Sequence, residues 1–188
     1  ICILPFRAMF LARVTAIGEA DFGLVDCAPG YYRSVFITHF EQTSENTSEM
    51  PDARFAYNDE LSQSGYGAPQ LWAADRNFQF NAFLKTGSHK ASIAAVATRE
   101  ADIAAIDAQT WRIECAENPQ TKELRVLGYT DPSPGMTFIT RQGEDPNVYF
   151  EAIQMAIADL SAADAEVLGL KGIVALPKAA YDLPFPPK

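Results

Sequence analysis

Residues 32–39 alternate in character, with Tyr32, Ser34, Phe36 and Thr38 on one face and Arg33, Val35, Ile37 and His39 on the other. Two mixed faces predict a strand covered on both sides rather than a half-wet hairpin. ARFAYND (53–59) predicts a second strand, and the near-continuous apolar run Ile103–Asp107 has the length and composition of a central parallel strand. Val14–Gly18, LRVLGY (124–129) and MTFITR (136–141) predict further strands, and the apolar opening ICILPFRAMF reads as a strand entered midway. Residues 21–30 and the polar, aperiodic stretch 41–53 read as loops.

Helical grammar fills the intervals. The small residues after Asp59 open a helix that must bend or restart near Pro69, because proline removes a helical hydrogen bond, and LWAADRNF continues it. Thr86-Gly87-Ser88 supplies cap residues for a helix over His89–Arg99, with Ile93 and Val96 turned inward. Asp107 is placed to cap a helix through AQTWRIECAE. Asp145-Pro146 starts another that runs to Leu160, with Phe150, Ile153, Ile157 and Leu160 on one face. Ser161 and Asp164 form a Ser-x-x-Asp capping box, and the proline-rich tail from Ala179 reads as a surface strap. Strand and helix alternate throughout, which defines an α/β protein.

Composition narrows the function. With 188 residues, 48% of them hydrophobic, the chain can form one sizeable domain or two small lobes. A net charge of −9 and a pI near 4.7 argue against a nucleic-acid partner, which requires a basic face. No apolar run approaches the roughly 20 residues needed to span a bilayer, and no signal peptide is visible. Cys2, Cys27 and Cys115 have no CxxC spacing, so no metal site is expected, and the glycines form neither of the common nucleotide loops, so no cofactor is expected either.

The chemistry concentrates in residues 58–107. Ser62, Ser64 and Gly65, followed by Tyr66, lie between a predicted strand and a predicted helix, where hydroxyls and free N–H groups surround an oxyanion well. The alternative is that Ser64 merely caps its helix. His89 stands in the first turn of the next helix, either as an anion donor that gains charge on binding or as a solvent-exposed side chain. Asp107 ends a buried strand on the side where parallel sheets hold ligands, or caps the helix that follows. Tyr31 and Tyr32 offer phenols but equally fit a core. Ser64, His89 and Asp107 also suggest a hydrolase triad, yet SQSGYG lacks the G-x-S-x-G elbow that presents a nucleophile. These residues read best as a binding site for a small oxyanion, with no catalytic residue.

Taken in order, LPFRAMFLARVTAIG, APGYYRSVFI, RFAYNDELSQSGYGAP, TGSHKASIAAVATREADIAAIDAQTW and LRVLGYTDPSPGMTFITR resemble the periplasmic phosphonate-binding protein family, the phosphate/phosphite/phosphonate receptors of ABC importers. The resemblance implies a type 2 periplasmic binding fold with two α/β lobes around a hinge. Residues 1–32 plus 142–188 would form a first lobe truncated at its N-terminus, and 33–141 the second lobe. It implies a periplasmic monomer that binds a phosphorus oxyanion in an interlobe cleft and serves a membrane permease. Ser62, Ser64 and the amides around Gly65 match the positions that hold phosphonate oxygens, and His89 matches the pocket histidine. Asp107 falls near the acidic position that meets an amino group in aminoalkylphosphonate binders, and Tyr32 near an aromatic pocket residue. Gln63 departs from the pattern, standing where a small hydroxyl residue is common. By the same analogy Cys2 and Cys27 would be bridged and Cys115 free. A sensor, or a receptor for another organic ligand, would share the same architecture.

Overall fold

The computed structural model of the chain describes residues 1–187. The opening is helical rather than extended: α1 (Ile3–Pro5) runs on through a wider turn at Phe6–Phe10. Helical spacing lets Ile3, Phe6 and Phe10 share one face, where they pack with Tyr181. β1 (Val14–Asp21) extends three residues beyond the expected strand. The alternating run at 32–39 is split, because Arg33 interrupts it between β2 (Tyr31–Tyr32) and β3 (Ser34–His39). β4 (Arg54–Tyr57) leads into a wide turn at Gln63–Gly67 and then α2 (Ala68–Asp75). The helix restarts beside Pro69, as expected: α2 begins at Ala68, and the proline occupies its first turn, where its missing N–H has no intrahelical partner to lose.

Helix α2 ends at Asp75, and β5 (Ala82–Lys85) occupies a stretch with no predicted strand. α3 (His89–Ala97), β6 (Ile103–Asp107), α4 (Ala108–Glu117) and β7 (Leu124–Tyr129) follow at the expected places. β8 (Ser133–Pro134), β9 (Thr137–Arg141), α5 (Pro146–Ala158), α6 (Ala162–Leu168) and β10 (Gly172–Val174) complete the order. Ser161 caps α6 as predicted, its hydroxyl accepting the Asp164 N–H at 3.1 Å, while the Asp164 carboxylate accepts the Ser161 hydroxyl rather than its backbone N–H.

The chain divides into two compact units, Ile1–Tyr32 with Pro132–Leu183, and Arg33–Asp131 with the tail from Pro184. The second boundary therefore falls near residue 131 rather than 141. The cause is pairing: β9 runs antiparallel to β1, matching Val14 with Arg141 and Glu19 with Thr137, and this holds residues 137–141 in the first unit.

The second unit is built on a five-stranded sheet in the order β5-β4-β6-β3-β7. β6 is central, parallel to β4 but antiparallel to β3, so it has one parallel partner rather than two. Every residue of β6 is buried. Successive residues feed opposite faces, as the pleat requires. Val35, Ile37, Ala104 and Ile106 pack with Ile93 and Val96 of α3, whereas Phe36, Ile103 and Ala105 pack with Phe55, Ala73 and Phe80. Ile93 and Val96 are fully buried, as their spacing predicted. The carboxyl ends of the parallel strands β4, β5 and β6 then deliver residues 58–65, 86–89 and 107 to one edge of the sheet.

The first unit has a three-stranded antiparallel sheet, β10-β1-β9, with α5 packed on it and the short pair β2-β8 beside it. Its tail follows the surface, as expected, but is pinned there by one buried side chain. Tyr181 is 9% exposed, packs at a tilt against Phe6 with ring centroids 5.5 Å apart, and donates its hydroxyl to the fully buried Glu19. Local sequence could not show this, because a single aromatic among prolines reveals its partner only once the sheet has formed. Burial pushes the Glu19 carboxyl up from its ordinary range, while the Tyr181 hydroxyl bond pulls it back in part. Cys2, Cys27 and Cys115 are unbridged, in contrast to the pairing the resemblance implied. Cys2 heads the N-terminal helical stretch, and Cys27 sits in a separate turn closed by its own N–H to the Leu24 carbonyl. An apolar hollow of about 840 Å³, lined by Phe6, Leu11, Ile17, Phe150 and Leu176 among others, lies within this unit.

Candidate functional site

The turn after β4 forms because Ser62 caps it. Its hydroxyl accepts the Gly65 N–H at 3.0 Å, and its carbonyl accepts both the Tyr66 and Gly67 N–H groups, at 3.1 and 2.9 Å. That shared acceptor widens the turn. The capping residue is thus Ser62, and Ser64 is left free for another role. Gly65 is fixed by packing rather than by backbone angle: a Cβ there would lie 1.9 Å from Asn58 Oδ1 and 2.8 Å from Asn58 Cγ. Only glycine lets the turn close so tightly on the end of β4.

Ser64 and His89, 25 residues apart in sequence, meet directly. The Ser64 Oγ lies 3.0 Å from His89 Nε2, with Ser64 buried and His89 half-buried. β4 and β5 bring them together, since the Thr86 N–H donates to the Tyr57 carbonyl at 2.8 Å and the Gly87 N–H to the Asn58 carbonyl at 3.1 Å. Ser88 caps α3 by accepting the Ala91 N–H at 3.0 Å, which fixes His89 in the first helical turn. Burial pushes the imidazole down to about 4, so the ring is neutral at physiological pH. With Nε2 protonated, it donates to the Ser64 oxygen and frees the Ser64 proton to point outward.

The depressed titration has a measurable consequence. A folded value near 4 lies below the unfolded 6.5, so the unfolded chain takes up the proton first as the solution is acidified. The contribution of His89 to stability is complete above about 6.5 and declines as pH falls towards 4. An NMR titration of the His89 ring should give a midpoint close to 4. A midpoint near 6.5 would mean that the ring is open to water.

Asp107 serves as a cap and more. Its Oδ1 accepts the Thr110 N–H at 2.8 Å, starting α4, while its Oδ2 is buried with no hydrogen-bond partner. The residue is 1% exposed, and burial raises its carboxyl above the ordinary range despite help from the Thr110 and Gln109 amides. Across the β3–β6 ladder Asp107 pairs with Ser34, whose hydroxyl donates to the Ser64 carbonyl at 2.8 Å. The Ser34 N–H in turn donates to Thr130 Oγ1 at 2.9 Å. Ser62, Ser64, Gly65, His89 and Asp107 therefore gather at one edge of one sheet. The nearby cation is already committed, because Lys85 Nζ is 3.1 Å from Asp59 Oδ2 and pairs also with Glu60.

Two predicted members, Tyr66 and Tyr32, lie outside this strand-end group. The Tyr66 ring packs against Tyr57 at 5.2 Å between centroids and against Phe83 at 6.4 Å. Tyr32 is a buried residue of β2 in the other unit. Two residues were missed. Asn58 abuts Gly65, and Ser34 ties β3 to the Ser64 carbonyl. Neither carried a motif, although Ser34 on an otherwise aromatic and β-branched strand was a weak signal. The Ser64, His89 and Asp107 triad is not assembled: His89 Nδ1 and Asp107 Oδ2 are both buried without a hydrogen-bond partner, so they do not bond each other. Among the described residues no group of three or more His, Cys, Asp or Glu side chains is placed to hold a metal ion.

The mixed α/β units, with polar residues gathered at the carboxyl ends of parallel strands, are those of a periplasmic binding protein. The family model for the ABC transporter phosphonate periplasmic substrate-binding protein matches residues 8–181, and the chain belongs to that family. Comparison with curated proteins gives no match. Among solved structures, PhnD1 from Prochlorococcus marinus (MIT 9301) in complex with methylphosphonate aligns with a TM-score of 0.73 and 19% identity, over 91% of this chain and 68% of its own. A binding protein component of an ABC phosphonate transporter from Pseudomonas aeruginosa aligns with a TM-score of 0.66 and 21% identity, over 90% and 59%. A Xanthomonas citri protein bound to ATP gives 0.67 and 19%, over 89% and 67%. At these identities the likeness is one of fold, and the chain spans about two thirds of the length of these relatives. Among the described residues no helix is long and apolar enough to cross a membrane.

Proposed function

We propose that the chain is the receptor part of an ABC importer and binds a small phosphorus oxyanion at Ser62, Ser64, Gly65 and His89, with Asp107 beside them. The observation that carries the reading is the Ser64–His89 contact at 3.0 Å on a turn capped by Ser62. A neutral imidazole orients the serine proton outward, and the turn supplies backbone dipoles. These are preorganised donors that bind an anion without a partner cation. Binding rather than turnover is favoured because His89 lacks an orienting carboxylate, which a serine nucleophile needs from its base. In this reading a periplasmic receptor hands its ligand to a membrane permease, and the family membership supports that setting.

Calorimetric titration of the chain with phosphate, phosphite, methylphosphonate and 2-aminoethylphosphonate tests the proposal. One-to-one binding is expected, strongest for one of the four and lost in His89→Ala. No binding of any of the four would remove the oxyanion reading, and turnover of a phosphate or carboxylate ester that depends on Ser64 would replace it with an enzyme.

A further inference from the structure

Helix α5 is apolar on two opposite faces, and only one of them meets the sheet. Phe150, Ile153, Ile157 and Leu160 lie on the half-buried side, where Phe150 Cε2 is 3.2 Å from the point a Cβ on Gly18 would occupy. Val148, Ala152 and Met155 form a second stripe at i, i+4, i+7, about 200° round the helix from the first. Val148 is 63% exposed and Met155 67%, although a helix that is apolar all round is normally buried all round. The charge around this second stripe is of one sign. Residues 142–170 contain the carboxylates of Glu144, Asp145, Glu151, Asp159, Asp164 and Glu166, and no Lys, Arg or His. Glu151 stands one turn after Val148, and Asp159 one turn after Met155, so both border the stripe. Both are exposed, and among the described residues neither enters an ion pair. Asp159 is also the C-cap of α5, at the negative end of the helix dipole, and the last turn holds no basic residue. A cation is missing there.

We propose that the outer face of α5, Val148, Ala152 and Met155 beside Glu151 and Asp159, is a docking surface for a basic amphipathic helix of a partner protein. The inference does not depend on the oxyanion reading, because no residue of the strand-end site takes part. Apolar side chains of the partner helix cover Val148 and Met155, and lysines or arginines flanking them meet the two carboxylates. Covering the stripe excludes water from its rim, which strengthens those pairs, and it gives Asp159 the cation that the end of α5 lacks. A second copy of the chain fits badly. A two-fold axis through this face sets carboxylates of one copy against carboxylates of the other, since every charge in the segment is negative. Nucleic acids and anionic lipid surfaces are repelled for the same reason.

The probe is a leucine–lysine peptide of about 18 residues, long enough to hold a helix, with leucines on one face and lysines beside them. Its counterpart carries glutamate in place of every lysine. Calorimetry at low salt is expected to show one lysine peptide bound per chain and no binding of the glutamate peptide. Val148→Ala with Met155→Ala should weaken binding by about tenfold or more, and Glu151→Gln with Asp159→Asn by about tenfold. All four positions are exposed and alanine is the best helix former, so circular dichroism should show the helix content unchanged. Glu117→Gln with Glu123→Gln removes two exposed carboxylates of the other unit and should leave binding as it is. The inference is overturned if the lysine peptide does not bind, or if the glutamate peptide binds as tightly. Unchanged binding in either α5 variant, or an equal loss in the Glu117 and Glu123 variant, would overturn it too. So would sedimentation of the chain as a dimer that Met155→Ala takes apart, because a second copy would then cover the face.

Discussion

Gly65→Ala will reduce oxyanion affinity by about a hundredfold or more, the largest effect expected of any single-atom addition in this chain. The new Cβ would lie 1.9 Å from Asn58 Oδ1 and 3.2 Å from Ser62 Oγ. The first distance is far inside van der Waals contact, so the turn must move away from β4. Overpacking of this kind costs about 1–3 kcal/mol in stability. The loss of binding is separate, because moving the turn misaims the Ser64 hydroxyl. Each charge-assisted bond is worth about 1.5–3 kcal/mol, and every 1.4 kcal/mol is tenfold in affinity. Since the clash is with Asn58, adding Asn58→Ala to Gly65→Ala should recover part of both losses. Calorimetry and thermal unfolding on the two variants check this. A Gly65→Ala protein that binds as tightly as the native chain would show that the turn is not part of the site.

Ser64→Ala is expected to weaken binding by more than tenfold, within about 1.5–3 kcal/mol, while costing little stability. The separation of the two effects follows from the geometry. The cap of the turn is Ser62, whose hydroxyl accepts the Gly65 N–H, and the Ser64 carbonyl keeps its bond from Ser34 after the substitution. What Ser64→Ala removes is the hydroxyl held at 3.0 Å from His89 Nε2. Ser62→Ala should behave differently, losing about 1 kcal/mol of stability with the cap. If Ser64→Ala left affinity unchanged and lowered the melting temperature instead, Ser64 would be structural. Its contact with His89 would then be packing alone.

The local parts of this architecture were legible in the sequence because each depends on neighbours a few residues away. Ser88 before His89, Asp107 before α4 and Ser161 three residues before Asp164 are caps whose acceptor and donor lie within one turn of each other. The alternation through Ser34–Thr38 and the apolar run at 103–107 announced strands covered on both faces, and both faces are filled. β5 escaped notice because NAFLK is short, and its place at the edge of the sheet is set by parallel pairing with β4. The opening ICILPFRAMF could be read as strand or helix. Its contacts with Tyr181, 170 residues and more away, belong to the helical form.

The sequence by itself determined the α/β class, the caps and the central strand, since periodicity and capping are local free energies written in adjacent side chains. Only the tertiary structure decided that Ser62 rather than Ser64 caps the turn and that Ser64 meets His89. It alone decided that Asn58 excludes a side chain at Gly65 and that one oxygen of Asp107 is left without a partner. Those outcomes depend on which strands pair and in what register, and register is fixed by burying whole faces rather than by any short motif.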